Sequence, residues 1–398
     1  MHYDAIVVGS GPAGSAAALT LARAGRSVLV LEKGRHPRHK SCGGGLSARL
    51  LPYLDEDVRA VVERTVLNLS FRFKDKEVTV SSSRPVAYLV VRSRFDAYLA
   101  DKARKAGAEI HEASPMFDWR ETPERIEVQS RSGRDTASFL IGADGATSRV
   151  ARRLSPGWKK HLAFSIETEV PFRSKEESVW IDLTMPKGYG WVFPKASGAA
   201  IGIADFGGKV KKPHLLYDDF LERQRDLIGR QRDFPERYRF PSSGPSGEEV
   251  PPNGCTIPVY RRSSYPLAKG RVLLVGDAGG LVDPLFGEGI YYAVRSGQMA
   301  GRAVAAALTG AEGIESYDRE IRSAFYPDFE AAAWMAKWVY AFPGLFLEMV
   351  QRYPKGSDLY LAILRGEGEY RRFWKEIGKA FLRKWFPIRN IAARTSRP

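Results

Sequence analysis

The chain has 398 residues, 44% of them hydrophobic and 27% charged, with a formal net charge of +15. That length accommodates two or three domains and a large core, and the ordinary apolar fraction excludes wholesale disorder. The two cysteines, Cys42 and Cys255, stand far apart with no C-x-x-C, so neither a disulfide framework nor a zinc site is indicated and no metal is expected.

A short apolar, β-branched run from Ala5 to Val8 stops at Gly9-Ser10-Gly11-Pro12-Ala13-Gly14. Ala16 to Ala24 then reads as a small-residue helix, and Val28 to Leu31 as a second strand ending on Glu32. Strand, glycine turn, helix, strand and acid, in that order, form the context in which G-x-G-x-x-G predicts a dinucleotide site. Gly9 permits the tight turn, Gly11 lets backbone approach a pyrophosphate, and Gly14 lets the helix pack closely on the sheet. The helix N-terminus offers free N–H groups and a positive dipole end to the diphosphate. Glu32, about 20 residues past the glycines, is placed to accept from ribose hydroxyls. Its charge would repel a 2′-phosphate, so the predicted ligand is FAD or NAD rather than NADP. The alternative is a plain glycine turn between two core strands.

Past a basic loop, Lys33 to Lys40, comes Ser41-Cys42-Gly43-Gly44-Gly45-Leu46. Three consecutive glycines predict backbone passing very close to a ligand or to another strand. Val66 to Val90 alternates as a half-buried sheet does. A helix from Arg94 to Ala106, with Phe95, Leu99 and Ala103 on one face, and a strand from Glu109 to His111 return the chain to the first sheet. Phe139 to Ser148 is an apolar strand that breaks into a turn at Gly142-Ala143-Asp144-Gly145, before a helical VARRL. Residues 164 to 206 read as an antiparallel sheet, in which Trp180, Tyr189, Trp191 and Phe193 are candidates to line an apolar substrate chamber. Ordinary packing of a sheet core explains the same four residues. Residues 241 to 256, rich in Pro, Ser and Gly, predict a loop back to the first domain.

The run from Gly270 to Ile290 delivers Asp277 at the C-terminal end of a buried strand, the edge where open α/β sheets hold ligands. The loop after it, with Gly287 and Gly289, opens a helix from Ile290 to about Leu308, whose first turn suits the partial negative charge of a reduced flavin ring. An N-cap of that helix is the other reading of Asp277. Residues 325 to 386 have a helical pattern rich in aromatics. Phe373, Ile377, Phe381 and Trp385 recur every four residues, with Arg372, Lys375, Lys379 and Arg383 on the other faces. Between Arg371 and Pro398, nine Lys or Arg stand against a single acid, Glu376. Such a basic amphipathic helix either lies on an anionic lipid surface or caps the catalytic domains with its charges outward. Nucleic acid is not an expected partner, and the oligomeric state is open. No apolar run reaches the roughly 18 to 20 residues of a spanning helix, the nearest, Ala331 to Leu347, being broken by Lys337 and Pro343-Gly344. The first strand leaves no room for a signal peptide, so the expected location is cytoplasmic, peripheral to a membrane if the tail binds one.

With residues 3 to 32, 139 to 152 and 270 to 290, the chain resembles the FAD-dependent, glutathione-reductase-like group that contains p-hydroxybenzoate hydroxylase, and within it the geranylgeranyl reductase family. The likeness runs in order through GSGPAG, Glu32, Cys42-Gly43, Arg92 with Phe95-Asp96, Asp144-Gly145 and Gly276-Asp277. Ser-Cys-Gly-Gly-Gly-Leu-Ser at 41 to 47, Tyr189-Gly-Trp191-Val-Phe193-Pro194, and Asp283-Pro284 with Gly287 and Gly289 are similar to the reductase branch. The resemblance implies an α/β fold with a Rossmann-like FAD-binding domain from 1–50, 91–155 and 265–324. It adds a β-sheet substrate domain from 51–90 and 156–264 and a C-terminal helical region, 325–398. It also implies bound FAD and reduction of isolated C=C bonds in the prenyl chain of a lipid, quinone or chlorophyll precursor, with electrons from NAD(P)H or ferredoxin. Carried over, Gly9, Gly11, Ala13 and Gly14 would hold the diphosphate, Glu32 the adenosine ribose, and the backbone near Met116 the adenine. Arg92 would meet the cofactor's central portion, Asp277 the ribityl chain, and Gly287, Gly289 and Ile290 the pyrimidine end of the flavin. Cys42, Gly43 and Gly45 would cross the ring face. Asp144 would serve folding or pyridine-nucleotide contact. The all-glycine loop at 43 to 45 departs from relatives that carry a bulkier or acidic residue there.

Hydride transfer from flavin N5 needs the alkene carbon fixed about 3 to 3.5 Å away. The alkene's other carbon needs a proton donor. Cys42 is a candidate, since a thiol with a pKa of about 8.5 is mostly protonated at neutral pH; its other reading is a small residue that fits the flavin face. The same fold serves flavin-dependent monooxygenases and halogenases, and Tyr189 to Pro194 is similar to the halogenase W-x-W-x-I-P signature with its first Trp replaced. It also serves non-catalytic prenyl-lipid carriers such as the Rab dissociation inhibitors. No second G-x-G-x-x-G follows a strand, so no separate nicotinamide domain is expected.

Overall fold

β1 (His2–Val8) is buried on both faces over its second half, as a central strand of an α/β sheet must be. It leads through α1 (Pro12–Arg23) to β2 (Val28–Leu31) and β3 (Gly45–Ser47). Next come β4 (Val62–Val66), β5 (Asn68–Phe73), β6 (Lys76–Ser81), β7 (Ala87–Val90), α2 (Arg92–Lys105) and β8 (Glu109–His111). The hairpin β9 (Met116–Glu121) and β10 (Ile126–Ser130) precedes β11 (Gly133–Gly142) and α3 (Arg149–Leu154). β12 (His161–Val170), β13 (Ser178–Asp182), β14 (Gly188–Pro194), β15 (Ala199–Asp205) and α4 (Pro213–Arg223) follow. The chain ends through β16 (Asn253–Val259), β17 (Ala268–Lys269), β18 (Val272–Leu274) and the helices α5 (Ile290–Leu308), α6 (Glu315–Ala341), α7 (Pro343–Arg352) and α8 (Pro354–Arg365). This computed structural model describes residues 1–170, 172, 177–196, 198–208, 212–224, 253–373 and 376.

The first sheet has the order β17-β18-β11-β1-β2-β8, with β18, β11, β1, β2 and β8 parallel and the β9–β10 hairpin added antiparallel to β11. The second sheet runs β16-β12-β15-β14-β13-β5-β6. Over residues 164 to 206 its pairings are antiparallel, as expected; beyond that range β5 joins β13 in parallel. A third sheet, β3-β7-β4, lies across the expected domain boundary at residue 50, since β3 pairs with β7.

Two helix contacts position the site. α5 lies against α1 almost backbone to backbone: a Cβ on Gly297 would stand 2.1 Å from the Ala13 carbonyl oxygen, and one on Gly301 3.0 Å from that of Ala17. The pairing of Gly297 with Ala13 and of Gly301 with Ala17 makes the helices parallel. Ile290, seven residues before Gly297, therefore starts α5 about 10 Å beyond the start of α1. The second contact is made by α6, which buries Tyr317, Ile321, Phe325 and Phe329 in the core of the first sheet and Ala332, Met335, Ala336 and Val339 in the core over the second. The expected boundary between 324 and 325 thus falls inside one helix, whose apolar stripe serves both cores.

The expected loop at 241 to 256 is corrected at its end, where β16 begins; residues 241 to 252 lie outside the described residues. So does most of the expected basic amphipathic helix, although Phe373 is buried beside Tyr370. Among the described residues, no helix is long and apolar enough to cross a membrane.

Candidate functional site

The turn from β1 into α1 leaves no room for a side chain at Gly9 or Gly14. Gly9 sits at φ +100°, and a Cβ there would be 2.5 Å from the Ala143 carbonyl oxygen, while one on Gly14 would be 1.8 Å from the Gly9 carbonyl oxygen. Gly11 is the N-cap of α1 with no side-chain cap, and Pro12 starts the helix, so the first-turn N–H groups of Ala13 and Gly14 are left for a ligand. Glu32 is 2% exposed. Its Oε2 accepts from the N–H and hydroxyl of Ser10, both at 2.8 Å, and its Oε1 from the Gly34 N–H at 2.9 Å. Burial pushes this carboxyl up, but Arg38 and those hydrogen bonds outweigh it and hold Glu32 below the usual range. Arg38, from the basic loop, stands 3.4 Å from both Glu32 and Asp96 and reaches over Gly11. Met116 begins β9 near this end of the sheet, where the Ser114 N–H donates to the Glu32 carbonyl oxygen.

On the other side of β1, Asp144 Oδ2 accepts from the N–H groups of Arg149 and Val150, capping α3, while its Oδ1 is buried without a partner. Asp277 lies in the tight turn Gly276–Gly279 after β18, its Oδ1 3.6 Å from where a Cβ on Gly289 would be. The N-cap of α5 is Gly289 with no side-chain cap, so Asp277 faces the first turn of α5, beside Ile290, without capping it. Lys160 donates to the Asp277 carbonyl oxygen at 3.1 Å. Its burial pulls the ammonium down to about 8 against the pull of Asp144 and Asp277. Before α5, Asp283 Oδ1 accepts from the Leu285 and Phe286 N–H groups, and Glu288 is bound by Ser47 and Arg49, so the loop carrying Gly287 is fixed at both ends.

The Cys42–Gly45 loop joins these parts to the second sheet. Arg92 pairs with Asp96 through two hydrogen bonds of 2.9 and 3.1 Å and reaches the side chain of half-buried Cys42. The glycines face two walls. A Cβ on Gly44 would meet the Val90 carbonyl oxygen, whereas those on Gly43 and Gly45 would meet the Phe193 ring, and that on Gly43 also Trp191 Nε1. The narrow passage at 43 and 45 is thus already explained by aromatic side chains of this protein.

Register decides which aromatics stand there. Tyr189, Trp191 and Phe193 alternate onto one face of β14, and Trp191 pairs across Gly202 with Glu167 on β12. Trp180 pairs with Val192 and so points the other way, into the core with Tyr217 and Phe220. The expectation that Trp180 lines the chamber is corrected by the two-residue period of the strand. Tyr189 donates to the Phe286 carbonyl oxygen at 2.6 Å, and α6, α7 and α8 close over this face with Tyr340, Phe346 and Tyr360. Glu167, 3% exposed, accepts from the Cys42 N–H at 2.6 Å. Burial pushes its carboxyl up to about 7 in spite of that bond and of Lys195. A cavity of about 290 Å³ lies elsewhere, behind the Asp277 turn, between Trp158, Lys160, Tyr260, Tyr265 and Gly280.

The FAD binding domain family matches residues 2–200. The chain is 30% identical to the chloroplastic geranylgeranyl diphosphate reductase of Oryza sativa subsp. japonica, over 90% of this chain and 82% of that one. It is 30% identical to digeranylgeranylglycerophospholipid reductase 1 of Methanopyrus kandleri, over 94% of this chain and 100% of that one. The chain belongs to the geranylgeranyl reductase family of FAD-dependent oxidoreductases. Among solved structures, a geranylgeranyl bacteriochlorophyll reductase-like protein from Thermoplasma acidophilum is similar at a TM-score of 0.75 and 22% identity, over 95% of this chain and 99% of that one. A flavin-dependent brominase is similar at 0.70 and 20%, over 96% and 99%, so geranylgeranyl reductase and halogenase share this fold.

The residues of this geranylgeranyl reductase family member fit FAD. Open N–H groups and Arg38 at the start of α1 suit a diphosphate, and the start of α5, about 10 Å farther along the same direction, suits the ring at the far end of a ribityl chain. Arg38, Lys160, Glu167 and Lys195 are not singled out by the sequence pattern. The basic loop at 33 to 40 signals the first, and a charge in the middle of the strand FSIETEV signals the third.

Proposed function

We propose that the protein is an FAD-dependent reductase that saturates isolated C=C bonds in the prenyl chain of a lipid, quinone or chlorophyll precursor. In this reading Gly9, Gly11, Ala13 and Gly14 hold the diphosphate, Glu32 the ribose and Met116 backbone the adenine. Arg92 and Asp277 hold the middle of the cofactor, and Cys42, Gly287, Gly289 and Ile290 border the flavin, with the turn at Asp144 supporting the β1–α1 glycine turn. The observation that carries it is the Cys42–Gly45 loop, whose glycines run against Phe193 and Trp191 while the Cys42 side chain packs on the cluster that holds Ile290, the first residue of α5. Bound FAD, when reduced, supplies hydride. The aromatic face orients an apolar chain, α6 to α8 exclude water, and the Cys42 Sγ gives a proton to the second alkene carbon, with Arg92 beside the thiolate left behind.

Anaerobic incubation of the FAD-bound, dithionite-reduced protein with geranylgeranyl diphosphate or a geranylgeranylated lipid is expected to yield products heavier by one H₂ per saturated bond, read by mass spectrometry. Cys42→Ala is expected to lower that rate about 10²-fold. Unchanged turnover in Cys42→Ala removes Cys42 from the proton transfer, and a hydroxylated or halogenated product in a parallel aerobic incubation with NADH or NADPH in place of dithionite replaces reduction with the chemistry of the structurally similar brominase. NADH, NADPH or reduced ferredoxin in place of dithionite identifies the electron donor.

A further inference from the structure

Glu167 is a charged residue in the middle of a strand, on the face where its neighbours are aromatic. One carboxyl oxygen, Oε1, accepts from the Cys42 N–H; the other, Oε2, is buried with no partner. Across Gly202, the indole Nε1 of Trp191 is also buried without a partner, 3.0 Å from where a Cβ on Gly43 would stand. A carboxylate with one bare oxygen is costly in such surroundings, and the neutral acid is the form they favour. The titratable and charged groups around it are Cys42, Arg92 from α2, Lys195 just past β14, Glu169 on β12, Cys255 on β16 and Tyr217 on α4. The two cations are committed elsewhere: Arg92 is bidentate to Asp96, and Lys195 donates to Glu169 at 2.8 Å.

We propose that Glu167 is the proton store of Cys42, a positioning residue that fixes the loop through Oε1 and returns to the thiolate the proton it has given up. The proposal rests on Cys42 being the donor in the reduction above. In that reaction the alkene gains a hydride from the reduced flavin and a proton from the Cys42 Sγ, so the alkene is reduced, the flavin oxidised and a thiolate left. The thiolate then takes the Glu167 proton. The carboxylate then regains a proton from water.

The test follows Cys42 itself, apart from any prenyl substrate. The FAD-bound protein is alkylated with iodoacetamide from about pH 5 to about pH 9, and the Cys42 peptide is quantified by mass spectrometry, for wild type and Glu167→Gln. The amide keeps an acceptor for the Cys42 N–H but holds no titrating proton. The wild-type rate is expected to show an extra inflection at about pH 7, because ionised Glu167 disfavours the thiolate above it, and Glu167→Gln to lose that inflection. Multiple-turnover alkene reduction in Glu167→Gln is expected to slow at least tenfold at the regeneration step, with FAD content unchanged. A wild-type curve without the inflection, or one that Glu167→Gln leaves in place, overturns the proposal. The inflection is read on wild type alone, so a variant that fails to fold does not shield it. If the inflection is present and lost in Glu167→Gln while wild type reduces no alkene, the coupling stands and the prenyl reading fails.

Discussion

Two buried glutamates of this protein titrate in opposite directions. Both are penalised by burial, but Glu32 has Arg38 and hydrogen bonds to both carboxyl oxygens, whereas Glu167 has one. The difference in partners decides the sign. Since Glu32 is held below its unfolded value, its contribution to stability is present above about pH 4.5 and is lost as the pH falls through its folded pKa. Glu32→Gln is therefore expected to cost about 1–3 kcal/mol at neutral pH, by urea unfolding, and that gap to close in acid. A gap of constant size from neutral to acid pH contradicts the assignment. Glu32 is legible in the sequence because its place after the glycine turn is fixed by strand length. Glu167 is not, because alternation in FSIETEV reveals which residues share a face but not that α6 to α8 and the Cys42 loop cover it.

At the scale of elements, the separation of the two helix N-termini depends on how closely α5 lies on α1. Gly297→Leu places a side chain against the Ala13 carbonyl oxygen, with no alternative position for it in a backbone-to-backbone contact. The expected result is a loss of about 1–3 kcal/mol from overpacking, together with weaker FAD retention because the start of α5 shifts. FAD released on dialysis, measured by its fluorescence, checks this; full retention would mean that α5 does not set the flavin position. The strand–turn–helix–strand unit, the helix ending near Lys105 and the helix from Ile290 are all readable as local patterns, since period and glycine stops are properties of neighbouring residues. The parallel β13–β5 joint, the inward turn of Trp180 and the α1–α5 contact are not, because each depends on partners far apart in the chain.

For the whole molecule, charge and exposed apolar surface are the relevant quantities. The net charge is +15, and Trp334 and Phe342, two turns apart on and beside α6, are 63% and 56% exposed. If the protein lies on an anionic bilayer, as proposed for its basic tail, the net positive charge and these two exposed aromatics would engage it. Sedimentation with phosphatidylserine-containing vesicles is expected to capture the protein at low salt and release it at high salt, and truncation after Gly368 to weaken capture. Capture equal with neutral vesicles, or unchanged by the truncation, counts against a membrane role for the tail. The first sheet with its glycine turns is readable from the two glycine-rich landmarks, yet the sequence does not disclose that α6 belongs to the cores of both sheets. A strut planted in two cores is expected to make their melting a joint event, so that under the proposed function strain from admitting a long greasy chain at the far end would reach the cofactor's cradle, and filling that cradle would stiffen the other core in return.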